Sequence, residues 1–275
     1  MNQNHKEEIL RIAEELCREN PGNYISEEDA LRPEIAGMRI FENPIMAVAS
    51  ADDPLFDDMR SPQAVGEHFM LPKQWDPSAV SVISYFLPFT DAVKNSNIDE
   101  LFTPSAQWLH GRYEGQFFND TLAKVIRDYC LANGFTAIVP TQNERFLFNA
   151  NERKNDFPRF SSNWSERHVA YVCGLGTFGL TRHLITEKGC AGRFSSIVTS
   201  MPLAPNQRPY SRYDEYCTYC ADCISRCPVN SITCNGKILD ICVTHLDSIR
   251  DAHKPRYGCG KCAVAISCQS CIPSA

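Results

Sequence analysis

The sequence has no long apolar run and no cluster of basic residues. No stretch reaches the ~18 apolar residues of a membrane-spanning helix, and the segment from Met1 to Asn20 is polar and charged. We therefore expect a cytoplasmic protein without a membrane span or a secretion signal. The formal net charge of −6 disfavours nucleic acid as a partner, since phosphate binding needs clustered Lys and Arg.

Several common catalytic patterns are also missing. The sequence contains no Walker loop, no zinc-protease motif and no recognisable Ser-His-Asp grouping. A zinc site needs four ligands in two separated pairs, whereas here three cysteines recur at three-residue steps and a fourth follows after four. A disulfide framework belongs to short secreted chains, whereas this one has 275 residues. None of these patterns therefore competes with the function that the cysteines indicate.

What the sequence does have is cysteine, concentrated near its end. Ten of its fourteen cysteines lie between Cys217 and Cys271, beginning with Cys217-x2-Cys220-x2-Cys223-x3-Cys227-Pro228. In such a run three thiolates bind one iron-sulfur cube, and the fourth, before a proline, binds a neighbouring cube. The spacing therefore predicts two 4Fe-4S clusters and single-electron transfer.

The crossing rule of such modules divides the ligands between two cubes. The first cube takes Cys217, Cys220, Cys223 and one late cysteine. The second takes Cys227, Cys242, Cys259 and Cys262. Spacing leaves both Cys268 and Cys271 open as the late ligand. The remaining cysteines have no partner at ligand spacing and are interpreted as small buried or partly buried residues: Cys17, Cys130, Cys173, Cys190 and Cys234.

The cluster module needs only the end of the chain, so the rest forms a separate unit with its own core. We predict an α/β (α+β) domain over residues 1–209 and a ferredoxin-like domain over residues 210–275, joined by a Pro-rich linker. Apolar periodicity and β-branched runs predict the elements of the first domain. These are a helix around Ile9–Cys17, strands at Ile45–Ser50 and Val80–Leu87, a helix over Phe118–Tyr129, a strand at Phe135–Val139, a helix capped by Asn163 and ended by Gly174, and a strand at Phe194–Met201.

Gly174, Gly176 and Gly179 match the spacing of the dinucleotide fingerprint G-x-G-x-x-G. That fingerprint works between a strand and the N-terminus of a helix, whose amides hold the pyrophosphate. Here a helical segment comes first and a strand-like segment follows, which disfavours nicotinamide binding. The glycines would still let backbone approach a flat cofactor closely, or simply end a helix and form a loop.

From about residue 40 to the end, the sequence resembles the epoxyqueuosine reductases. The resemblance is carried by Glu166-Arg167-His168-Val169-Ala170-Tyr171, by Gly174-Leu175-Gly176 with Gly179, by Leu184-Ile185-Thr186, and by the cysteines that follow. Val80-Ser81-Val82-Ile83, Leu87-Pro88 and Gly111-Arg112-Tyr113 are weaker similarities. Those proteins are cobalamin-dependent iron-sulfur enzymes, distantly similar to reductive dehalogenases. The resemblance implies a nitroreductase-like domain that holds a corrinoid, and it favours Cys268 over Cys271.

Two departures set this chain apart from those enzymes. They carry a catalytic Asp in a Val-Asp-Ser-like segment, where this chain has Val139-Pro140-Thr141-Gln142-Asn143-Glu144. This chain also lacks a basic face for transfer RNA. A D-x-H-x-x-G motif, which would supply a histidine to cobalt, is approached only at Asp251, with Arg256 at its last position. We therefore expect a paralogue that acts on another small molecule.

The candidate site residues follow from these comparisons. As proton donors we propose Glu144, Tyr113 and His168. The resemblance gives as corrinoid-binding candidates Arg167, His168, Gly174, Gly176, Thr177, Gly179 and Arg193. Arg112 and Lys188 are further basic residues that could meet corrin amides or a phosphate.

Two functions remain open. The protein is either a corrinoid-dependent reductase of a small molecule, or a non-catalytic electron carrier or corrinoid-reducing partner. Both would receive electrons from a low-potential donor of the ferredoxin or flavodoxin type.

Overall fold

A computed structural model describes residues 2–149 and 160–274 of the chain. Its helices are α1 Asn2–Glu19, α2 Leu55–Asp58, α3 Pro72–Trp75, α4 Asp91–Ser96, α5 Ala106–Ala132, α6 Glu166–Cys173, α7 Asp222–Ser225 and α8 Leu239–His253. Its strands are β1 Ile45–Ser50, β2 Ser81–Pro88, β3 Ala137–Ile138, β4 Phe148–Asn149, β5 Ser161–Ser162, β6 Gly176–Phe178, β7 Leu184–Thr186, β8 Gly192–Thr199, β9 Ile232–Thr233 and β10 Gly236–Lys237. Helices and strands are mixed along the chain, as predicted.

A four-stranded antiparallel sheet of order β1-β2-β8-β3 forms the centre of the fold. All eight residues of β2 are buried, because helices cover both faces of the sheet. Helix α5 packs on one face and α6 on the other. Successive strand residues therefore enter different cores: Ile83 and Tyr85 join the core on the α5 side, and Val82 joins the core on the α6 side. Coverage on both faces explains the continuous apolar runs of the sequence.

The predicted elements are present, with differences at their ends. The Phe118–Tyr129 pattern is part of the longer α5, which begins after Ser105, whose Oγ accepts a hydrogen bond from the Trp108 amide at 3.1 Å. The prediction that Asn163 caps the next helix is wrong, because α6 begins at Glu166 with Ser165 at the cap position. The side chain of Asn163 instead bonds the backbone of the segment before β4, accepting from Leu147 N and donating to Arg145 O.

The cysteine-rich end packs directly against α5. Cys227 and Val264 belong to the same core as Trp108 of α5. An ion pair joins Arg256 to Glu114, with Nη2 and Oε1 2.5 Å apart, and both side chains are largely buried. The division of the chain into domains at residues 209 and 210 stays a prediction. Among residues 2–149 and 160–274, no helix is both long and apolar enough to cross a membrane.

Candidate cofactor site

A cavity of about 1350 Å³ lies between the part of the chain that carries the central sheet and the cysteine-rich end. Elements from both parts of the chain form its walls. The lining residues include Trp108 and Arg112 of α5, Arg167 and His168 of α6, Gly192 and Phe194 at β8, and Tyr257 near the end of the chain. Pockets for ordinary small ligands occupy roughly 300–1,000 Å³. This cavity therefore has room for a large cofactor.

The two predicted ligand sets lie in two different cavities. Those assigned to the second cube all line the large cavity: Cys227, Cys242, Cys259 and Cys262. Those assigned to the first cube line a separate small cavity: Cys217, Cys220, Cys223 and Cys268. Cys271 is exposed, its Sγ faces the Ser267 carbonyl oxygen at 3.7 Å, and it is not among the residues that line either cavity.

The described residues contain no group of three His, Cys, Asp or Glu side chains placed to hold a single metal ion. The four thiolates of a cube do not share one ion, because each binds a different iron atom. A donor set of four cysteines facing one cavity is the set that a cube requires, so the residues present fit this cofactor.

Hydrogen-bond donors lie beside two sulfur atoms of the second set. The Ser231 amide donates to Cys227 Sγ at 3.2 Å, and Lys237 Nζ lies 4.0 Å from Cys262 Sγ. Such donors stabilise the charge of a reduced cluster. Cys190 is buried, and its sulfur lies 4.0 Å from that of Cys268. Cys234, expected to be buried or partly buried, is exposed at the large cavity.

The glycine motif lies between α6 and the β6–β7 hairpin. Gly174 ends α6 in the left-handed conformation, with φ 99°. A Cβ on Gly176 would fall 2.0 Å from the Ile185 carbonyl oxygen, so this glycine permits the close pairing of the hairpin. Of the motif's three glycines, Gly179 alone lines the cavities. The Oγ1 atom of Thr177 accepts a hydrogen bond from the Tyr216 amide at 2.8 Å, so this candidate holds the two parts of the chain together.

The three candidate proton donors are in different surroundings. His168 lines the large cavity, where its Nδ1 lies 2.8 Å from Ser165 Oγ. Burial and the charge of Arg167 lower the pKa of His168 to about 4, so its ring is neutral at pH 7. Tyr113 packs edge-on against Phe117, and Glu144 is exposed. Neither is among the residues that line the large cavity, and the roles of all three stay predictions.

Sequence reasoning missed Tyr257 and the surroundings of two arginines. Arg193 donates from Nη2 to the Arg112 carbonyl oxygen and faces Tyr257 Oη at 3.4 Å. The Arg112 guanidinium lies over the Tyr257 ring, 5.2 Å from its centroid. Tyr257 stands two residues before Cys259, a predicted cluster ligand, and this position is the one signal in the sequence that could have drawn attention to it. The contacts of the two arginines with Tyr257 depend on the packing of α5 against the last segment.

Buried polar atoms in the cavity wall lack partners. Trp108 Nε1 and His183 Nδ1 are buried and have no hydrogen-bond partner among the described residues, and both residues line the cavity. Leaving a buried donor unsatisfied costs about 1–3 kcal/mol. A corrinoid carries many amide oxygens on its rim, and these could accept from such donors. The volume and the unpaired donors therefore fit a corrinoid.

The sequence matches no protein-family model and no curated protein. Solved structures of epoxyqueuosine reductases are similar to this one. That from Streptococcus thermophilus has a TM-score of 0.55 at 18% identity and covers 96% of this chain. That from Bacillus subtilis has a TM-score of 0.52 at 14% identity and covers 98%. The chain has the fold of the epoxyqueuosine reductases.

This chain covers only part of those structures, 66% of the length of each. A reductive dehalogenase structure that suggests a mechanism for B12-dependent dehalogenation is also similar. Its TM-score with this chain is 0.47 at 14% identity. It covers 74% of this chain, and this chain covers 27% of it.

Proposed function

We propose that this protein is an iron-sulfur oxidoreductase that passes single electrons through two 4Fe-4S clusters to a cobalamin, for reductive chemistry on a small molecule. The observation that carries the proposal is the composition of the large cavity. One wall carries the four cysteines assigned to the second cube, and the opposite wall belongs to the α/β domain. A redox centre and a cofactor of corrinoid size would therefore meet in one cavity.

The exposure of the cysteines supports an order in which electrons would pass through the two clusters. Cys220 of the first set is exposed, whereas Cys227 and Cys259 of the second are buried. A donor protein of the ferredoxin or flavodoxin type would deliver electrons to the first cluster at the surface. The second cluster would pass them on inside the cavity.

The residues that would hold a cobalamin come from both walls. Gly179 lets the β6–β7 turn approach a flat ring, while Trp108 supplies an unpaired N–H donor and His183 an unpaired ring nitrogen for the amide groups of the corrin. When bound, a corrinoid supplies a strongly reducing cobalt centre for bond cleavage. Phe89 and Phe194 contribute apolar surface to the cavity. His168, neutral at pH 7, can hold a hydrogen bond there without adding charge.

A second function is favoured by one observation. Glu144, which stands in the segment where epoxyqueuosine reductases carry their catalytic Asp, is exposed and not among the residues lining the cavity. A protein that binds the corrinoid and reduces it without turning over a substrate would need no acid there. This alternative makes the chain an electron-transfer or corrinoid-reducing partner.

Anaerobic reconstitution tests the proposal. We expect ~8 irons and as many sulfides for each chain, binding of added cobalamin, and a change of its cobalt EPR signal on binding. Full iron content without cobalamin binding would reject the corrinoid and leave an electron carrier. Cobalamin that binds and is reduced, with no turnover of any tested substrate, would favour the corrinoid-reducing partner.

A further inference from the structure

Three arginines with no carboxylate partner surround one end of the large cavity. Arg112 and Arg167 line it, and Arg193 lies directly behind Arg112. Among the described residues, no carboxylate lies within ion-pairing distance of any of the three, whereas seven of the other described arginines are so paired. This end of the cavity therefore carries three guanidinium groups without a carboxylate counter-ion among the described residues.

Arg112 has the geometry of a ligand-binding guanidinium. Its plane is held over the Tyr257 ring by a cation–π contact at 5.2 Å, and no described residue accepts a hydrogen bond from it. A Cβ on Gly258 would fall 2.9 Å from Arg112 Nε, so glycine is required there for the guanidinium to lie where it does. The side chain is thus fixed in position with its donors available.

Arg193 and Tyr257 both contact Arg112 and hold it in this position. Arg193 donates to the Arg112 carbonyl oxygen and to Tyr257 Oη, while its own Nε is buried without a partner among the described residues. Burial and the charges of Arg193 and Arg167 lower the pKa of Arg112 to about 9. Two like charges brought together in a buried site are costly, and an anion between them removes that cost.

We propose that Arg112, supported by Arg193 and Tyr257, is an oxyanion-binding site that takes the carboxylate or phosphate group of a molecule bound in the large cavity. The fork of guanidinium donors matches the paired oxygens of either group. Phe89, Trp108 and Phe194 line the same cavity, so they offer apolar surface for the rest of the ligand.

The oxyanion has two possible sources. It is either the carboxylate of a small substrate or the phosphodiester in the nucleotide loop of a cobalamin. The inference deepens the proposed function, and its biological meaning rests on that function. Oxyanion binding itself can be measured on protein that carries both clusters and no corrinoid, so the two proposals can fail separately.

The test compares Arg112→Gln and Arg112→Lys with the unaltered protein, all loaded with both clusters. Calorimetry with benzoate and with inorganic phosphate gives the affinity. We expect Arg112→Gln to weaken binding of at least one anion tenfold or more and Arg112→Lys to weaken it less, because Lys keeps the charge but loses the fork. Arg127→Gln is the control, since Arg127 lies on the same helix and pairs with Asp128 outside the cavity.

A second arm identifies the source. Binding of cobalamin is compared with that of cobinamide, which lacks the nucleotide-loop phosphate. If Arg112→Gln weakens cobalamin alone, the anion is the corrinoid phosphate. If it weakens benzoate and leaves both corrinoids unchanged, the anion belongs to the substrate.

Three results would overturn the site. One is unchanged affinity for benzoate, phosphate and cobalamin in Arg112→Gln. Another is an equal loss for cobalamin and cobinamide with both anions unaffected, which would mean that Arg112 contacts corrin amides. The third is a changed cluster EPR spectrum with unchanged anion affinity, which would mean that Arg112 only balances cluster charge. Oxyanion binding without any corrinoid binding would keep this site and reject the proposed cobalamin.

Discussion

Glu166 is the first residue of α6, and both of its carboxylate oxygens are buried without a hydrogen-bond partner among the described residues. Burial raises the pKa of this carboxyl from 4.5 to about 7; the nearby Ser196 hydroxyl opposes the shift, and the charge of Asp120 adds to it. Tyr85 of β2 and Cys173 of α6 are the other titratable groups beside it. Glu166, which the sequence singled out only through the resemblance to the epoxyqueuosine reductases, is therefore a buried carboxyl with a raised pKa.

We predict that Glu166→Gln stabilises the protein at high pH. A folded-state pKa above the unfolded one means that the carboxyl costs no stability below pH 4.5 and progressively more as the pH rises through about 7. The variant should gain up to about 3 kcal/mol at pH 8 and little at pH 4.5. Urea unfolding at the two pH values measures this. Glu144→Gln, at an exposed glutamate, is the control, and a gain that does not depend on pH would contradict the assignment.

The choice between Cys268 and Cys271 as a cluster ligand can also be tested at the scale of single residues. We predict that Cys268→Ser loses one of the two clusters, because Cys268 lines the small cavity together with Cys217, Cys220 and Cys223. Cys271→Ser should keep both, since Cys271 is exposed outside that cavity. Iron and sulfide content after anaerobic reconstitution distinguishes them. Loss of a cluster in the Cys271 variant alone would reverse the choice.

At the scale of elements, the close packing of α5 against the last segment forms the cavity. Gly260 has φ 68°, and a Cβ there would fall 1.9 Å from Trp108 Cε2. The next residue, Lys261, is 1% exposed, and its Nζ donates to the Asn97 carbonyl oxygen and side chain at 3.0 Å. The loop between Cys259 and Cys262 is therefore held against α4 and α5 on both sides.

We predict that Gly260→Ala lowers stability and cluster content together. The methyl group must displace the Trp108 ring, in addition to the ~1–2 kcal/mol of left-handed strain. Gly134→Ala is the matched control, because Gly134 also has a positive φ, 82°, but has no neighbour within 4 Å of the added Cβ. It should cost the strain alone. Equal losses in thermal unfolding for the two variants would show that contact with Trp108 is unimportant.

At the scale of the whole molecule, an ion pair between Glu114 and Arg256 links the cysteine-rich end to α5. Glu114 of α5 lies at the centre, 3.1 Å from His110 Nδ1 and 2.5 Å from Arg256 Nη2. Burial alone would raise the pKa of Glu114, but hydrogen bonds from His110 and Arg256 lower it overall. Arg256 also donates to the Asp29 carbonyl oxygen at 2.9 Å.

We predict that Arg256→Gln destabilises the protein by about 3 kcal/mol, because it leaves the largely buried Glu114 without its cationic partner. Arg11→Gln breaks exposed ion pairs with Glu8 and Glu15 and should cost less than about 1 kcal/mol. Urea unfolding compares the two. Hydrogen exchange should locate the added opening of the Arg256 variant in the cysteine-rich end, and a similar cost for both variants would contradict the role of this pair.

Much of the architecture could be predicted from short-range patterns. Strand β1 was predicted with its observed ends, and the helix around Ile9 is part of α1. The start of α6 was predicted wrongly, because Asn163 and Ser165 both suit a helix cap and only tertiary contacts decide between them. The antiparallel order of the sheet was also hidden, since a strand covered on both faces shows no alternation from which its pairing could be read.

The sequence by itself predicted the two groups of cluster ligands, apart from the choice between Cys268 and Cys271, because cluster ligation depends on spacing along one short segment. Only the tertiary structure decided what those groups face. The volume of the large cavity, the exclusion of Cys271 from the small one, and the meeting of Arg112, Arg193 and Tyr257 depend on α5 and β8 packing against the last segment. Such contacts join residues far apart in the chain, and no local pattern records them.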